Sequence, residues 1–365
     1  MNTGIGNYST PIARLLRTTC LGCHSNTGPQ TIVYYMGNKV PIVYNQQKPG
    51  YETPGPNNAL AGGNFYWTDP NSGADFADNH GHNLFSIDQT LTHGPGFYDG
   101  VDTSQGCGCH ISLSVTSNYS QTSYHNDECQ ACHWYTFHHK AKGYAAQITV
   151  DSRNLYSTSK VDPTYRFLDS PPAMPSGYGD WTSRFVQGIE DPNFEQSPSA
   201  AAHNVYMANG ASAGSGFVPS PSGWLNSVNH SLSSFCGGCH TIFHWYQKDS
   251  SNVWIRHPVD VLVGKLVDDG RENESFFYNG TTGVNTYDPK VPVAYDIANP
   301  YGDSVSSYST IDDTHGKVTC VSCHRTHASP YPSMLRFNYN QIVAGNGTTA
   351  GGNGCFACHT EKALE

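Results

Sequence analysis

The sequence has 365 residues, a formal charge of −10 at neutral pH, and only 37% hydrophobic residues alongside 37 glycines and 22 prolines. This is little apolar material and much turn-forming material for a chain of this size, so side chains alone are not expected to fill the core. The acidic charge argues against a nucleic-acid partner, and no run of about 18 apolar residues predicts a membrane-spanning helix.

The predicted elements are few and short. Thr10 and Pro11, followed by apolar residues three and four positions apart up to Cys20, predict a short helix. Segments 31–35 and 41–44 flank a turn-forming stretch and predict a β-hairpin. No shift in composition marks a boundary, so we interpret residues 1–365 as one unit. Further helices are predicted at 199–207, 231–246 and 355–364, and coil at 45–75, 170–180 and 208–223.

All twelve cysteines fall into six close pairs, and a histidine follows each pair directly. Five of these motifs read C-x-x-C-H and one reads C-G-C-H. In such a motif the two thiols bond to the vinyl groups of one haem, and the histidine is aimed at its iron. Zinc sites or redox dithiols would not require a histidine after every pair. The motifs lie at 20–24, 107–110, 129–133, 236–240, 320–324 and 355–359.

The motifs predict six covalently bound c-type haems. In the shortened motif Gly108 supplies the backbone freedom for a tighter turn, and a disulfide or a lone thiol pair is the alternative there. The fold class expected is mostly irregular coil with short α-helices and a few β-hairpins, organised around the haems. The haem-attaching residues are Cys20, Cys23, Cys107, Cys109, Cys129, Cys132, Cys236, Cys239, Cys320, Cys323, Cys355 and Cys358, and the proximal iron ligands are His24, His110, His133, His240, His324 and His359.

The second iron ligand of each haem is predicted to be another histidine. Eighteen histidines less the six proximal ones leave twelve, twice the number that bis-histidine iron requires. Four of the twelve are weaker candidates, and for these a role as a surface imidazole or as a hydrogen-bond partner of a haem propionate is at least as good an interpretation as iron ligation. The favoured distal candidates are His82, His203, His257 and His327, a second group is His138, His139, His244 and His315, and the least favoured are His80, His93, His125 and His230.

The segments around the motifs are distinctive at 20–28, 60–67, 81–83, 188–204, 236–244, 256–258 and 320–336. They resemble the multihaem cytochromes of metal- and electrode-respiring microbes, a group that includes the extracellular cytochrome filaments of the OmcS-like and OmcE-like kind. The resemblance runs over most of the chain. It implies that His82, His203, His257 and His327 are distal ligands, joined by His244 and by one of His138 and His139.

The resemblance also implies a homopolymer, in which haems stack head to tail across subunits and a histidine is sometimes lent to the neighbour's iron. Two departures from the pattern concern the ligands between residues 107 and 145. The motif at 129–133 reads as an addition to the pattern, and C-G-C-H reads as a contraction.

Electron transfer rather than catalysis is the predicted function, with other redox proteins or extracellular electron acceptors as partners. Bis-histidine iron keeps both ligands in either oxidation state, so little reorganises on transfer. A reductase of nitrite, hydroxylamine or a sulfur oxyanion would need an iron with an open site, and a monomeric periplasmic shuttle would differ only in assembly. Haem is attached outside the cytoplasmic membrane, so we expect an exported, extracellular or cell-surface protein whose signal peptide has been removed.

Overall fold

The part of the chain with a defined backbone is mostly coil, interrupted by short helices and strands, as the composition predicts. Its longest helix has 8 residues. None of the helices in this part has the length and apolar character that a membrane span requires. The structure, a computed structural model, describes residues 17–35, 37–82, 84–85, 129, 132–133, 165–168, 186–208, 231–237, 259, 262–263, 277–278, 281–282, 285–297, 304–312 and 314–342.

The regular elements in these ranges are all short. The α-helices are α1 (Arg17–His24), α2 (Leu232–Gly237) and α3 (Cys320–Cys323). Short 3₁₀ helices lie at Phe65–Thr68, Pro70–Asp75, Asp78–His80, Tyr165–Phe167, Val305–Tyr308, Pro332–Met334 and Tyr339–Gln341. The strands are β1 (Ser25–Asn26), β2 (Ile32–Tyr35), β3 (Asn38–Pro41), β4 (Tyr44–Asn45), β5 (Gly188–Ile189), β6 (Val205–Met207), β7 (Phe277–Tyr278), β8 (Thr281–Thr282), β9 (Asn285–Thr286), β10 (Ala294–Tyr295) and β11 (Thr310–Ile311).

The strands pair into small, separate sheets. β2 and β3 form an antiparallel hairpin with Tyr35 opposite Asn38, and β1 runs parallel to β4. β6 lies between β5, which is antiparallel to it, and β10, which is parallel. β7 pairs with β8 and β9 with β11, both antiparallel. Sheets this short are not stable on their own, so the surrounding side chains must hold them.

The structure confirms some predicted elements and corrects others. A hairpin with its first strand as predicted is confirmed, but its second strand is Asn38–Pro41 and not 41–44, and Tyr44 belongs to β4, which pairs with β1. α1 confirms the helix leading to Cys20, with residues 10–16 outside the described part. The helix predicted over 199–207 is wrong, because β6 falls within it and pairs with strands on both sides.

The other predicted segments agree in part. The segment 45–75 is coil with two 3₁₀ helices. The predicted helix over 231–246 is seen as α2, and its remainder lies outside the described residues, as do 355–364, 170–180 and most of 208–223.

Two hydrophobic clusters meet at β6 and β10. Val205 and Tyr295 belong to one cluster, and Tyr206 and Ala294 belong to the other. Neighbouring residues of a strand point to opposite faces, so two short strands separate the clusters. A third, smaller cluster consists of Ala59, Tyr66, Trp67 and Ala328. The core is thus divided into patches, which is consistent with a chain whose side chains alone do not fill its interior.

A close crossing of backbones joins the segment before the 3₁₀ helix at Phe65–Thr68 to the segment after α3. Gly63 and Gly81 both form bridges with Ala328, and the N–H of Asn64 donates to the Ala328 carbonyl at 3.1 Å. Gly63 has a φ of +86°, and a Cβ added there would stand 1.9 Å from that carbonyl oxygen. Only glycine allows this approach, because both the backbone angle and the space exclude a side chain.

We expect Gly63→Ala to reduce stability by on the order of 3 kcal/mol or more, because the crossing must open to relieve the clash. Gly37→Ala is the matched control, since Gly37 also has a positive φ of +79° but no atom within 4 Å of the added Cβ. The control should lose about 1–2 kcal/mol from backbone strain alone. Thermal unfolding of the haem-loaded variants, followed by circular dichroism, measures both losses of stability. Equal losses would contradict the claim that the backbone crossing excludes a side chain at Gly63.

Candidate functional site: histidines around the attachment motifs

Three attachment motifs have their key residues in the described part, and each forms a helical turn. The motif at 20–24 lies in α1, and the two cysteines of the motif at 320–324 lie in α3. In the motifs at 129–133 and 320–324, the N–H groups of His133 and His324 donate to the carbonyl of the first cysteine, at 2.9 and 3.0 Å. A helical turn places residues i, i+3 and i+4 on one face, so both thiols and the imidazole can face one haem.

The proximal histidines of these motifs share one hydrogen-bond pattern. In each of them Nδ1 bonds to a backbone carbonyl further along the chain, 17 residues away for His24, 33 for His133 and 9 for His324. A carbonyl oxygen only accepts, so Nδ1 must carry the proton. The bonds join His24 to Pro41 at 2.8 Å, His133 to Arg166 at 3.1 Å and His324 to Ser333 at 2.7 Å.

Two predicted distal histidines repeat the pattern. Nδ1 of His82 bonds to the Thr326 carbonyl at 2.8 Å, and Nδ1 of His203 bonds to the Asn204 carbonyl at 2.8 Å. With the proton on Nδ1, a neutral imidazole carries its lone pair on Nε2, the atom that would bind iron. Metal-binding histidines characteristically donate their other N–H to a carbonyl or carboxylate in this way, which fixes the ring and raises its basicity.

His203 packs against the larger hydrophobic cluster, to which Tyr287 belongs. Its ring stacks on Tyr287 with 3.5 Å between centroids and 9° between planes. The side chain is fully buried, and its Nε2 has no hydrogen-bond partner. Burial lowers the pKa of His203 and keeps the imidazole neutral. A buried nitrogen without a partner is costly unless another group binds it, so His203 has the chemistry of a ligand.

Four predicted ligands form one group, which we call the histidine cluster: His24, His82, His133 and His327. Burial lowers the pKa of His327 to about 3, and the nearby imidazoles of His133, His82 and His24 act in the same direction. The His327 N–H donates to Gly62 at 2.7 Å, and its carbonyl accepts from the His82 N–H at 2.9 Å. The cluster thus brings two proximal and two distal candidates together.

The spacing of one pair in the cluster fits a haem iron. The rings of His133 and His327 have centroids 6.3 Å apart and planes at 56°. Histidine–metal bonds of about 2.0–2.1 Å on opposite sides of one metal, plus roughly 1 Å from each nitrogen to its ring centre, give a centroid separation of about 6 Å. His133 follows an attachment motif and His327 does not, so the pair has one candidate of each kind.

Two buried arginines lie beside the motif at 320–324. The Arg336 side chain is 2% exposed, its Nε donates to the Val321 carbonyl at 2.5 Å, and neither of its terminal nitrogens has a hydrogen-bond partner. Burial and the nearby Arg325 lower the pKa of Arg336. A buried guanidinium with open donors suits a carboxylate, and a haem attached at this motif would bring two propionates.

The other predicted site residues lie elsewhere or cannot be placed. His315 is on a turn with its side chain 61% exposed, and its Nδ1 lies 2.9 Å from the Asp312 carboxylate. The structure does not bring it into the histidine cluster. Cys236 is half-buried at the end of α2. Outside the described residues lie Cys107, Cys109, His110, His138, His139, Cys239, His240, His244, His257, Cys355, Cys358 and His359.

Sequence reasoning did not find the two arginines or the aromatic partners of the histidines. Phe65 stacks on His327 with 4.7 Å between centroids, as Tyr287 does on His203. Only the position of Arg325, between the histidines of Cys323-His324-Arg325-Thr326-His327, was a signal in the sequence. Nothing local marks Arg336 as buried.

Known proteins resemble this chain at its last two attachment motifs and over most of its length. A family described as the doubled CXXCH motif matches residues 314–364, which contain the last two attachment motifs. The c-type cytochrome OmcS of Geobacter sulfurreducens is 22% identical over 93% of this chain and 75% of its own length.

Two solved structures of filaments from the same organism also match. The outer membrane cytochrome S filament has a TM-score of 0.41 at 19% identity, covering 94% of this chain and 89% of the other. The OmcS nanowires have a TM-score of 0.47 at 17% identity, with the same shares covered.

The attachment turns, the buried histidines and the doubled motif are typical of multihaem c-type cytochromes. Within that class, the chain resembles OmcS.

We expect Arg336→Met to destabilise the haem-loaded protein by about 3–5 kcal/mol, because it would leave a buried propionate without its cation. If no propionate occupies the site, the substitution removes a buried charge with open donors and costs only its attraction to the nearby buried Glu195, so the loss of stability should be much smaller. Lys48→Met is the control, since the Lys48 side chain is 58% exposed beside Asp75 and such surface pairs contribute about 0–1 kcal/mol. Thermal unfolding of the three proteins shows whether the loss in Arg336→Met clearly exceeds that of the control.

Proposed function

We propose that this cytochrome carries six haems, each iron ligated by two histidines, and conducts electrons over long distances outside the cell. The observation that carries the proposal is the separation of 6.3 Å between the ring centroids of His133 and His327, which is the spacing expected for two histidines on one iron. Haem, when bound, supplies a one-electron iron couple. The residues of the chain hold two imidazoles on the iron in both oxidation states, so that transfer requires little rearrangement.

The proposed ligands follow from the motifs and the histidine cluster. The proximal ligands are the six histidines that end the attachment motifs. His327 is the distal partner of His133, and His82 and His203 are distal ligands because their Nδ1 atoms bond to carbonyls as the proximal ones do. His257, His244, His315 and one of His138 and His139 remain candidates for the other positions.

A short segment connects several of the proposed haem sites. His324 ends one motif, the Thr326 carbonyl orients His82, and His327 pairs with His133. Because His24 also lies close enough to His327 to lower its pKa, the sites at 20–24, 129–133 and 320–324 are proposed to be neighbours. Closely spaced sites are what a conduit requires.

The alternative functions differ in testable ways. A reductase would leave one iron with an open position for nitrite, hydroxylamine or a sulfur oxyanion, whereas the proposed histidines would give each iron two protein ligands. A monomeric periplasmic shuttle would have the same ligands and the same low reorganisation. Only its assembly would differ, so ligand variants test the first alternative and particle size tests the second.

His327→Ala should open one iron without loss of covalent haem, because the cysteines attach the cofactor independently of the distal bond. The reduced variant is expected to bind one additional carbon monoxide per chain, seen in the difference spectrum, while its intact mass still contains every haem. Phe65→Leu is the matched control, since it removes the ring stacked on His327 and leaves the imidazole in place. Carbon monoxide binding no greater than in the unmodified protein would show that His327 is not a ligand.

We also propose that the subunits form a homopolymer by head-to-tail haem stacking, at the cell surface or beyond it. A contact between unlike patches extends into a filament unless the rotation happens to close a ring. A subunit charge of −10 opposes association, so buried haem contacts or a donated histidine must hold the joint. His80, His93 and His125 are spare candidates for that donation.

The polymer should resist salt, because neither a coordinate bond nor a buried contact is screened as surface charge is. Light scattering through a salt titration is expected to report particles of many subunits at every ionic strength. A single particle of about one subunit throughout would exclude the filament and favour the monomeric shuttle. Dissociation at high salt would show that surface charges, and not buried contacts, hold the joint.

A further inference from the structure

Two of the three backbone carbonyls that accept from the described proximal histidines belong to residues with an unusual backbone conformation. Arg166, which accepts from His133, has a φ of +48° and a ψ of +30°. Ser333, which accepts from His324, has a φ of +58° and a ψ of +27°. Residues with a side chain seldom adopt this left-handed conformation, because their Cβ crowds the backbone. Where the surrounding structure maintains such a conformation, it often serves a functional site.

Backbone hydrogen bonds hold the turn around Arg166. The Tyr165 N–H donates to the Val186 carbonyl at 2.6 Å, and the Val186 N–H donates to the Leu168 carbonyl at 2.9 Å. The Leu168 N–H closes the turn on the Tyr165 carbonyl at 2.9 Å. The Arg166 N–H itself donates to Oε1 of Glu190 at 2.8 Å. The turn is therefore fixed on both sides of Arg166, which defines the position of the Arg166 carbonyl.

The Arg166 side chain binds the segment that carries His203. Its Nη2 donates to Oδ1 of Asn204 at 3.0 Å and also to the Asp191 carbonyl. Its Nη1 lies 3.4 Å from Oε2 of Glu190, in an ion pair whose side chains are only 19% and 27% exposed. The donors of a guanidinium lie in one rigid plane, so several bonds to it fix the side chain more firmly than one bond would.

Asn204 extends this network to a second predicted ligand. The Asn204 carbonyl accepts from Nδ1 of His203 at 2.8 Å. Its buried side-chain Oδ1 accepts from Arg166 and, at 2.9 Å, from the Asp191 N–H. Because the Arg166 carbonyl accepts from Nδ1 of His133 at 3.1 Å, Arg166 and Asn204 complete a continuous path of contacts between the two imidazoles.

We infer that Arg166 is a positioning residue that two haem sites share. Its left-handed backbone presents the carbonyl that orients His133, and its guanidinium holds Asn204, whose carbonyl orients His203. The hydrogen bond and the orientation of an imidazole affect the iron that it ligates. A change at Arg166 is therefore expected to alter two irons. This inference rests on the proposed function, because both histidines must be iron ligands.

Two variants separate the role of the Arg166 backbone from that of its side chain. Arg166→Ala removes the guanidinium but retains a Cβ, so the left-handed turn loses the side-chain bonds that hold it and is expected to relax. The carbonyl would then move away from His133. Arg166→Gly removes the same guanidinium, but glycine adopts the left-handed conformation without strain. The glycine variant should keep the orientation of His133, whereas both variants lose the link to His203.

The measurement is electron paramagnetic resonance of the full-length, haem-loaded protein in the ferric state. The g values of a low-spin iron with two imidazoles depend on how the imidazole planes are oriented. The signal lost in His327→Ala identifies the iron proposed for His133, and the signal lost in His203→Ala identifies the second iron. The signal lost in His82→Ala is the internal reference, because the Thr326 carbonyl orients His82 from outside this network.

The expected result differs between the two variants. In Arg166→Ala the g values of the first two signals should shift and the reference signal should stay unchanged. In Arg166→Gly only the signal of the His203 iron should shift.

The outcomes distinguish a failure of the inference from a failure of the proposed function. If either His327→Ala or His203→Ala removes no low-spin signal, that ligand assignment is wrong and the inference falls with it. If both signals are identified but Arg166→Ala leaves them unchanged, only the inference is overturned. A shift of all three signals would show a general disturbance and would also overturn it. The His203 signal can be measured in Arg166→Gly alone, so the test holds even if the alanine variant does not fold.

Discussion

The bond from an imidazole N–H to a backbone carbonyl is the contact on which the rest of this structure depends. Inside a long helix or sheet most carbonyls are already bonded to the backbone, so few can orient a side chain. Coil and very short elements leave more of them available: Pro41 ends β3, and Arg166 and Ser333 lie in three-residue 3₁₀ helices. Here the carbonyls of Pro41, Arg166, Asn204, Thr326 and Ser333 each accept from a histidine. A chain that must supply many such acceptors around its haems gains from irregular backbone, and this accounts for the short elements and frequent turns.

The segment just after α3 shows how tightly this requirement constrains the chain. The backbone groups of Thr326 and His327 both bond to His82, and Ala328 forms bridges with Gly63 and Gly81. Small residues are needed because backbone, not side chains, must meet at the crossing. A side chain at either glycine would move the segment, and with it the imidazoles that it positions. Packing and ligation are therefore determined together here.

The sequence was most informative where the chemistry is local. A thioether motif needs its cysteines and histidine close together in the chain, so spacing alone located the motifs at 20–24, 129–133 and 320–324, which the structure shows as helical turns. The orienting carbonyls could not be predicted, because His82 and Thr326, for example, are 244 residues apart. The helix predicted over 199–207 failed for a similar reason, since β6 is fixed by pairing with β10, far along the chain. Only the folded chain brings these partners together.

Arg336 links the charge of the cofactor to folding. The Arg336 charge is near Glu195, whose own pKa burial raises, and near Arg325, yet its terminal nitrogens bond to neither. The nearby negative charge of Glu195 offsets part of the free-energy cost of burying the Arg336 charge, but the terminal N–H groups of Arg336 still lack hydrogen-bond acceptors. A haem propionate would supply both a negative charge and those acceptors. Without haem, the segment around Arg336 would bury a charge whose two terminal nitrogens have no acceptor, so attachment of the cofactor and closure of this core are expected to be one event.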